Sequence, residues 1–172
     1  MRICAIAVMA ALTVSASSLT SAAPAVAVNG SSFDPPATTG SCVFKKTEFS
    51  ASTSEQNTTS TSFSNLGDGG SITFNESATG CVAGTFFGNA GNNTSGDNVH
   101  LQVVLDGATI CAPLTTGGYV FANSDVDLSS HAVAFFCGAS VAAGSHTIQV
   151  QWAAGIGGEA VIFEHTLEVS HK

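Results

Sequence analysis

The feature that most constrains the fold is the alternation of apolar and polar residues in segments 99–105, 145–152 and 161–169. The residues that define one face of each segment are Val99, Leu101, Val103 and Leu105; His146, Ile148, Val150 and Trp152; and Val161, Phe163, Leu167 and Val169. Successive side chains of a β-strand point to opposite faces, so this period predicts strands with one buried face. Outside the N-terminal segment, no stretch shows the helical period.

Glycine-rich runs separate these segments and predict turns. The runs lie at 66–70, 88–97, 106–107, 116–118, 143–144 and 155–158. Shorter candidate strands lie at 42–49, 71–75, 81–87, 109–111, 119–122 and 131–137, and the Ser/Thr-rich stretch 51–64 is expected to be a loop followed by a short strand at 61–66. About nine short strands of this kind predict an all-β fold, an antiparallel β-sandwich of jelly-roll type.

The N-terminus has the pattern of a cleaved signal peptide. Met1-Arg2 precedes an apolar run over 3–14, and Ala25-Val26-Ala27 resembles a cleavage site. Serines interrupt the run before it reaches the length of about 20 apolar residues that a membrane span needs. We therefore expect a signal peptide at 1–27, a flexible arm rich in Gly, Pro, Ser and Thr at 28–41, and a β-sandwich domain at 42–172.

Cysteine use points to an oxidising compartment. Removal of the signal peptide removes Cys4 and leaves Cys42, Cys81, Cys111 and Cys137. An even number of cysteines in a secreted chain predicts two disulfides, for which three pairings are possible. Because neighbours in sequence are often neighbours in a sheet, the expected pairs are Cys42 with Cys81 and Cys111 with Cys137. We predict a secreted, extracellular protein.

The charge balance argues against two classes of partner. Without Arg2, three lysines (Lys45, Lys46 and Lys172) stand against 12 acidic residues, a net charge of −9. Nucleic-acid binding requires clustered basic residues that neutralise phosphates. An anionic membrane surface requires them as well. We expect neither partner.

Several short sequences resemble those of a known superfamily. They are Thr-Ser-Phe at 61–63, Ser-Ile-Thr-Phe at 71–74, Leu-Asp-Gly at 105–107 and the strand sequence at 143–152, which a final strand follows. In this order they resemble the C1q/TNF-like jelly rolls and similar secreted bacterial or phage-associated β-sandwich modules, over residues 61–172. The resemblance implies a binding or assembly module that is often a homotrimer.

No local motif for catalysis is present. A serine hydrolase of the nucleophile-elbow type would carry Gly-x-Ser-x-Gly, which the chain lacks. His146 and His165 fall near strand ends, where adjacent strands could bring them together as metal ligands or catalytic bases. The alternative for both is a half-buried histidine that hydrogen-bonds to backbone carbonyls.

The best metal candidate is the run Asn123-Ser124-Asp125-Val126-Asp127. The alternating oxygen ligands Asn123, Asp125 and Asp127 resemble the start of a calcium loop. Leu128 and Ala134 stand where an EF-hand needs Gly and Glu. A loose extracellular calcium site and a solvated acidic loop both remain open, and no other cofactor is expected.

Ligand contacts are expected on the loops, at Tyr119 and Trp152, with carbohydrate or a protein surface as the partner. For Trp152 the alternative is packing in the core. The leading functional hypothesis is a secreted, non-enzymatic binding or assembly module. A secreted hydrolase with a dispersed active site and a purely structural surface protein are the alternatives.

Overall fold

The computed structural model describes residues 42–113, 118–123 and 128–172. Within these ranges it contains eleven strands and no helix. The strands are β1 (Lys46–Ser52), β2 (Gln56–Thr58), β3 (Ser64–Asn65), β4 (Ser71–Glu76), β5 (Gly80–Asn92), β6 (Val99–Leu105), β7 (Thr109–Ile110), β8 (Tyr119–Ala122), β9 (Ser129–Val141), β10 (Gly144–Ala154) and β11 (Ala160–His171). The predicted signal peptide and N-terminal arm lie outside the described residues.

The strands form two antiparallel sheets packed face to face, which confirms the predicted β-sandwich. Sheet 1 has the order β1-β11-β5-β9, and β2 also pairs with β11. Sheet 2 has the order β3-β10-β6-β7, with β4 on β10 and β8 on β6. The edges β1 and β4 lie on one side of the sandwich, and β8 and β9 lie on the other.

The core lies between the sheets and follows the predicted alternation in β6 and β10. Val99, Leu101 and Val103 of β6 are fully buried, as are Ile148 and Val150 of β10. The register places Val150 opposite Val103. Pairs of this kind stabilise a sheet through side-chain contact across neighbouring strands.

The predicted face of β11 is wrong over its first half. A register shift between Ile162 and His165 inserts an irregularity into the pairing with β5. The inward side chains are therefore Ile162 before the shift and His165 and Leu167 after it, all of them buried. Phe163, expected in the core, is only half-buried. A bulge changes the parity of the strand, which simple alternation does not reveal.

The Ser/Thr-rich stretch also differs from the prediction. Strand β2 lies inside the segment expected to be a loop, and it pairs with residues 160–162 of β11. The predicted strand at 61–66 shortens to β3. Polar side chains suit β2 because, among the described residues, it pairs with β11 alone and is therefore an edge strand.

Candidate functional site

Both predicted disulfides are present. Cys42 bonds to Cys81 with a Cα–Cα distance of 5.5 Å, and Cys111 bonds to Cys137 with a distance of 4.2 Å. The bonds lie close together, because Cys81 is the second residue of β5 and Cys137 lies in the part of β9 that pairs with the start of β5. Disulfides are typical of extracellular proteins.

Tyr119 and Trp152 do not form a shared exposed surface. They flank Leu101 in the register of sheet 2 and therefore point to the same face. Trp152 is only 3% exposed and belongs to the core cluster, whereas Tyr119, on the outer strand β8, is 40% exposed. Trp152 is thus a core residue, and of the two predicted residues Tyr119 alone offers an accessible aromatic ring.

The calcium candidate falls mostly outside the described residues. Asn123 is exposed at the end of β8, whereas Asp125 and Asp127 lie in the undescribed segment 124–127. Among residues 42–113, 118–123 and 128–172, no group of three or more His, Cys, Asp or Glu side chains is arranged to hold a metal ion. The structure therefore leaves the calcium prediction untested.

His146 joins two turns. Its Nδ1 lies 2.7 Å from Asp106 Oδ2 and its Nε2 lies 2.9 Å from the carbonyl oxygen of Ala142. Both partners are acceptors, and only the imidazolium form has an N–H for each. The hydrogen bond to Asp106 raises the pKa of His146 against the opposing effect of burial, with help from the Ala142 carbonyl and the nearby charge of Glu76. A ring whose nitrogens both donate is not placed to take a proton from serine.

His165 has a different environment, in the other sheet. It is 2% exposed, and its ring nitrogens lie 2.9 Å from the Phe163 carbonyl oxygen and 2.7 Å from the Asp68 carbonyl oxygen. The ring thus fastens the bulge of β11 to the turn that precedes β4. His146 and His165 share no partner, so the structure does not bring them together as a site.

A contact between a serine and a histidine occurs elsewhere, on β9. Ser129 Oγ lies 2.7 Å from His131 Nε2. Burial lowers the pKa of His131, which favours the neutral ring that can accept a proton. A triad also needs a group that orients the other ring nitrogen. Among the described residues, no hydrogen bond reaches that nitrogen.

Asp97 is the most highly connected buried polar residue that sequence reasoning missed. It is 1% exposed, and its carboxylate accepts hydrogen bonds from the backbone N–H groups of Asn98, Ile156 and Gly158 at 2.6–2.7 Å. Burial alone would raise the pKa of Asp97, but these bonds and the Asn92 amide lower it below its usual value. Asp97 therefore fixes the β10–β11 turn to the β5–β6 loop.

The outer face of sheet 1, called here the phenylalanine face, is almost uncharged. The register places on it Thr47, Phe49, Ala51, Ala83, Thr85, Phe87, Ala132, Ala134, Phe136, Thr166, Glu168 and Ser170. Phe49 is 66% exposed and Phe87 is 45% exposed. Glu168 is the only charged residue in this set and four others carry hydroxyls, so the face is a largely apolar, accessible surface of small side chains with projecting aromatic rings.

The outer face of sheet 2, called here the amide face, is polar and neutral. The register places on it the polar residues Asn65, Ser71, Thr73, Asn75, His100, Gln102, Ser145, Thr147, Gln149 and Gln151, with Val104, Val120 and Ala153 among them. Gln102 Nε2 donates to Gln151 Oε1 at 2.7 Å, and Gln151 Nε2 donates to Asn65 Oδ1 at 2.9 Å. Many of these polar groups are thus already paired within the sheet.

Comparison of the chain with protein-family models, with curated proteins and with solved structures found no match in any of the three. Within the described part of the chain, no helix is long and apolar enough to cross a membrane.

Proposed function

We propose that this chain is a secreted, non-enzymatic assembly module whose copies associate through the phenylalanine face. The observation that carries the proposal is the exposure of Phe49 and Phe87 on a nearly uncharged sheet surface. Contiguous apolar patches on soluble proteins mark interaction sites. Interface cores are likewise depleted of charge and enriched in aromatic residues.

A second exposed apolar surface supplies the partner. Tyr119, Val120 and Leu128 are 40–47% exposed along the edge formed by β8 and β9. If this edge of one copy packs on the phenylalanine face of the next, the two surfaces of the contact differ. Such heterologous contacts generate a closed ring when the rotation between copies closes. The proposed ring is a homotrimer.

The strand order supports a jelly-roll assignment. When β1 with β2, β3 with β4, and β7 with β8 are each counted as one interrupted strand, the sandwich has eight. Strand 1 then neighbours strand 8, 2 neighbours 7, 3 neighbours 6 and 4 neighbours 5. Such nesting of the first half of the chain against the second is expected of a double-sheet jelly roll. It favours the proposed relationship to the C1q/TNF-like superfamily.

Secretion is supported by two observations. The described domain carries two disulfides, which persist in oxidising compartments. The N-terminal sequence independently predicts a cleaved signal peptide. An extracellular location is therefore part of the proposal.

The test is the mass in solution of the mature protein, by light scattering and native mass spectrometry. Two variants block one surface each, Phe87→Arg on the face and Tyr119→Arg on the edge. Ser71→Arg on the amide face is the matched control, because Ser71 is also an exposed strand residue. We expect a trimer for the parent protein and the control, and a monomer for each of the other two variants.

An equimolar mixture of the two monomeric variants sharpens the test. One intact face and one intact edge remain in such a mixture, so the two variants should form a dimer and nothing larger. A monomeric parent protein would contradict the assembly proposal. A Tyr119→Arg variant that stays trimeric would contradict the arrangement of edge against face.

A further inference from the structure

A small groove lies on the amide face, on the other sheet from the phenylalanine face and close to β8. It has a volume of about 140 Å³ and is lined by Thr61, Phe63, His100, Ala153, Ala154 and Gly155. Water occupies about 30 Å³ per molecule in the liquid, so the groove holds roughly five waters. This is room for one small ring and far less than the pocket of a drug-sized ligand.

The ring of Phe63 forms one wall. A Cβ built on Gly118 would lie 2.3 Å from Phe63 Cζ, so the ring lies directly against Gly118. Gly118 precedes β8, and β3 and β8 lie on opposite sides of the β10–β6 pair. Phe63 therefore crosses the outer surface of this pair. Because glycine has no side chain, Gly118 leaves room for the ring of Phe63.

Two other lining residues offer polar groups. His100 is half-buried, and its Nε2 lies 3.2 Å from the position of a Cβ built on Gly155. Among the described residues, no hydrogen bond uses its ring nitrogens. Thr61 is exposed and carries a hydroxyl. An imidazole and a hydroxyl can each donate and accept hydrogen bonds.

An incomplete hydrogen-bond row lies beside His100. Gln102 follows it on the same face of β6, about 7 Å along the strand. Gln102 is 8% exposed, and its Oε1 has no hydrogen-bond partner. If the side-chain amide of Gln102 were rotated by 180°, its nitrogen would be the unpaired atom instead of its oxygen. In either orientation only one of the two amide atoms bonds to Gln151, which in turn bonds to Asn65. A buried unpaired polar atom is costly, but Gln102 lies beside the groove and is not among the residues that line it.

We infer that this groove binds one sugar ring of a neutral glycan. Hydroxyl groups that both donate and accept match the imidazole of His100 and the hydroxyl of Thr61. The C–H face of a sugar ring matches the aromatic wall of Phe63 and the apolar side chain of Ala153. None of the lining residues is an acid, a lysine or an arginine, and the acidic chain disfavours polyanions.

The experiment is a titration of the mature protein followed by amide and aromatic NMR shifts. The probes are neutral oligosaccharides: cellohexaose, laminarihexaose, maltoheptaose and chitohexaose. We expect saturable shifts at Phe63, His100 and Gln102 with at least one probe. Phe63→Leu keeps an apolar side chain over the sheet but removes the aromatic face, so it should weaken binding about tenfold.

Two further variants make the result decisive. His100→Ala changes a half-buried position and should also weaken binding, while Phe49→Ala on the opposite sheet should leave binding unchanged. Binding should persist in the Phe87→Arg background, so loss of assembly and loss of sugar binding can be told apart. No saturable shift with any probe, or binding that survives both groove variants, would overturn the inference. Shifts from a peptide pool but none from these sugars would do so as well.

Discussion

The two ends of the sandwich hold their loops in place by different chemistry. At the end where β5 begins, called here the disulfide end, two covalent bonds fix the chain around β5 and β9. At the opposite end, the Asp97 end, one buried carboxylate binds the β5–β6 loop to the β10–β11 turn. One end relies on covalent bonds and the other on an ionised group. A reductant should therefore destabilise the disulfide end, and acid should destabilise the Asp97 end.

The largest expected effect concerns the disulfide end. The bonds close loops with sequence separations of 39 and 26 residues. The chain-entropy model assigns about 3.5 to 4 kcal/mol of unfolding free energy to a loop of either length. We expect urea denaturation at pH 7 to show a loss of that order for each bond reduced.

The control for reduction is the Asp97 end itself. Hydrogen exchange at Ile156 and Gly158 should change less on reduction than exchange near Gly138. A loss below about 1 kcal/mol per bond would contradict the covalent account of the disulfide end.

Asp97→Asn should have the next largest effect. The change removes the charge and places an amide N–H₂ close to backbone donors, which costs about 2 to 3 kcal/mol of unfolding free energy. Glu159→Gln is the matched control, because Glu159 also accepts a hydrogen bond in this region but from the exposed side chain of Asn93. We expect the control to change stability by less than about 0.5 kcal/mol.

The pH dependence sharpens the same prediction. The pKa of Asp97 is lowered in the folded protein, so its contribution is fully present above the unfolded value of 3.8. The contribution is lost as the pH falls through the lower folded pKa. The difference between the parent protein and Asp97→Asn should therefore shrink below pH 4. A difference that stays constant down to pH 2 would show that the carboxylate charge is not the cause.

The smallest expected effect belongs to His146, the pH-sensitive group of the disulfide end. His146→Gln should cost about 1 kcal/mol of unfolding free energy near pH 6, where the imidazolium donates two hydrogen bonds. The pKa of His146 is raised in the folded state, so this stabilisation is complete below the ordinary value of 6.5 and disappears as the pH rises through the folded pKa. Denaturation at pH 6 and pH 9 measures the difference, with His100→Gln as control. Equal losses at both pH values would refute the role of the imidazolium.

The sequence was sufficient to predict the fold class and the disulfide pairing. Alternation in β6 and β10 identified core residues such as Leu101 and Val150, because burial on one face imposes a period of two. The same logic failed in β11, where the bulge before His165 changes the parity. Nothing local in the sequence marks such an irregularity.

The candidate surfaces were less accessible to sequence reasoning. Phe49 and Phe87 lie in strands predicted from sequence, but whether an aromatic ring points inward or outward depends on register, which only the pairing of distant strands fixes. Asp97 stands in an Asn/Gly-rich run, and its partners Ile156 and Gly158 follow 59 and 61 positions later. The sequence therefore marked Asp97 as an ordinary loop residue.

The pairing of β1 with β11 has a consequence for the time course of folding. The first described strand pairs with the last, and Thr47 and Ser170 bond across 123 positions. β11 also pairs with β5, so sheet 1 cannot close before the final twelve-residue strand is available. Bringing such distant segments together costs loop entropy before any contact compensates for it, which slows folding. Sheet 1 of a nascent chain therefore stays open until residues 160–171 have been synthesised.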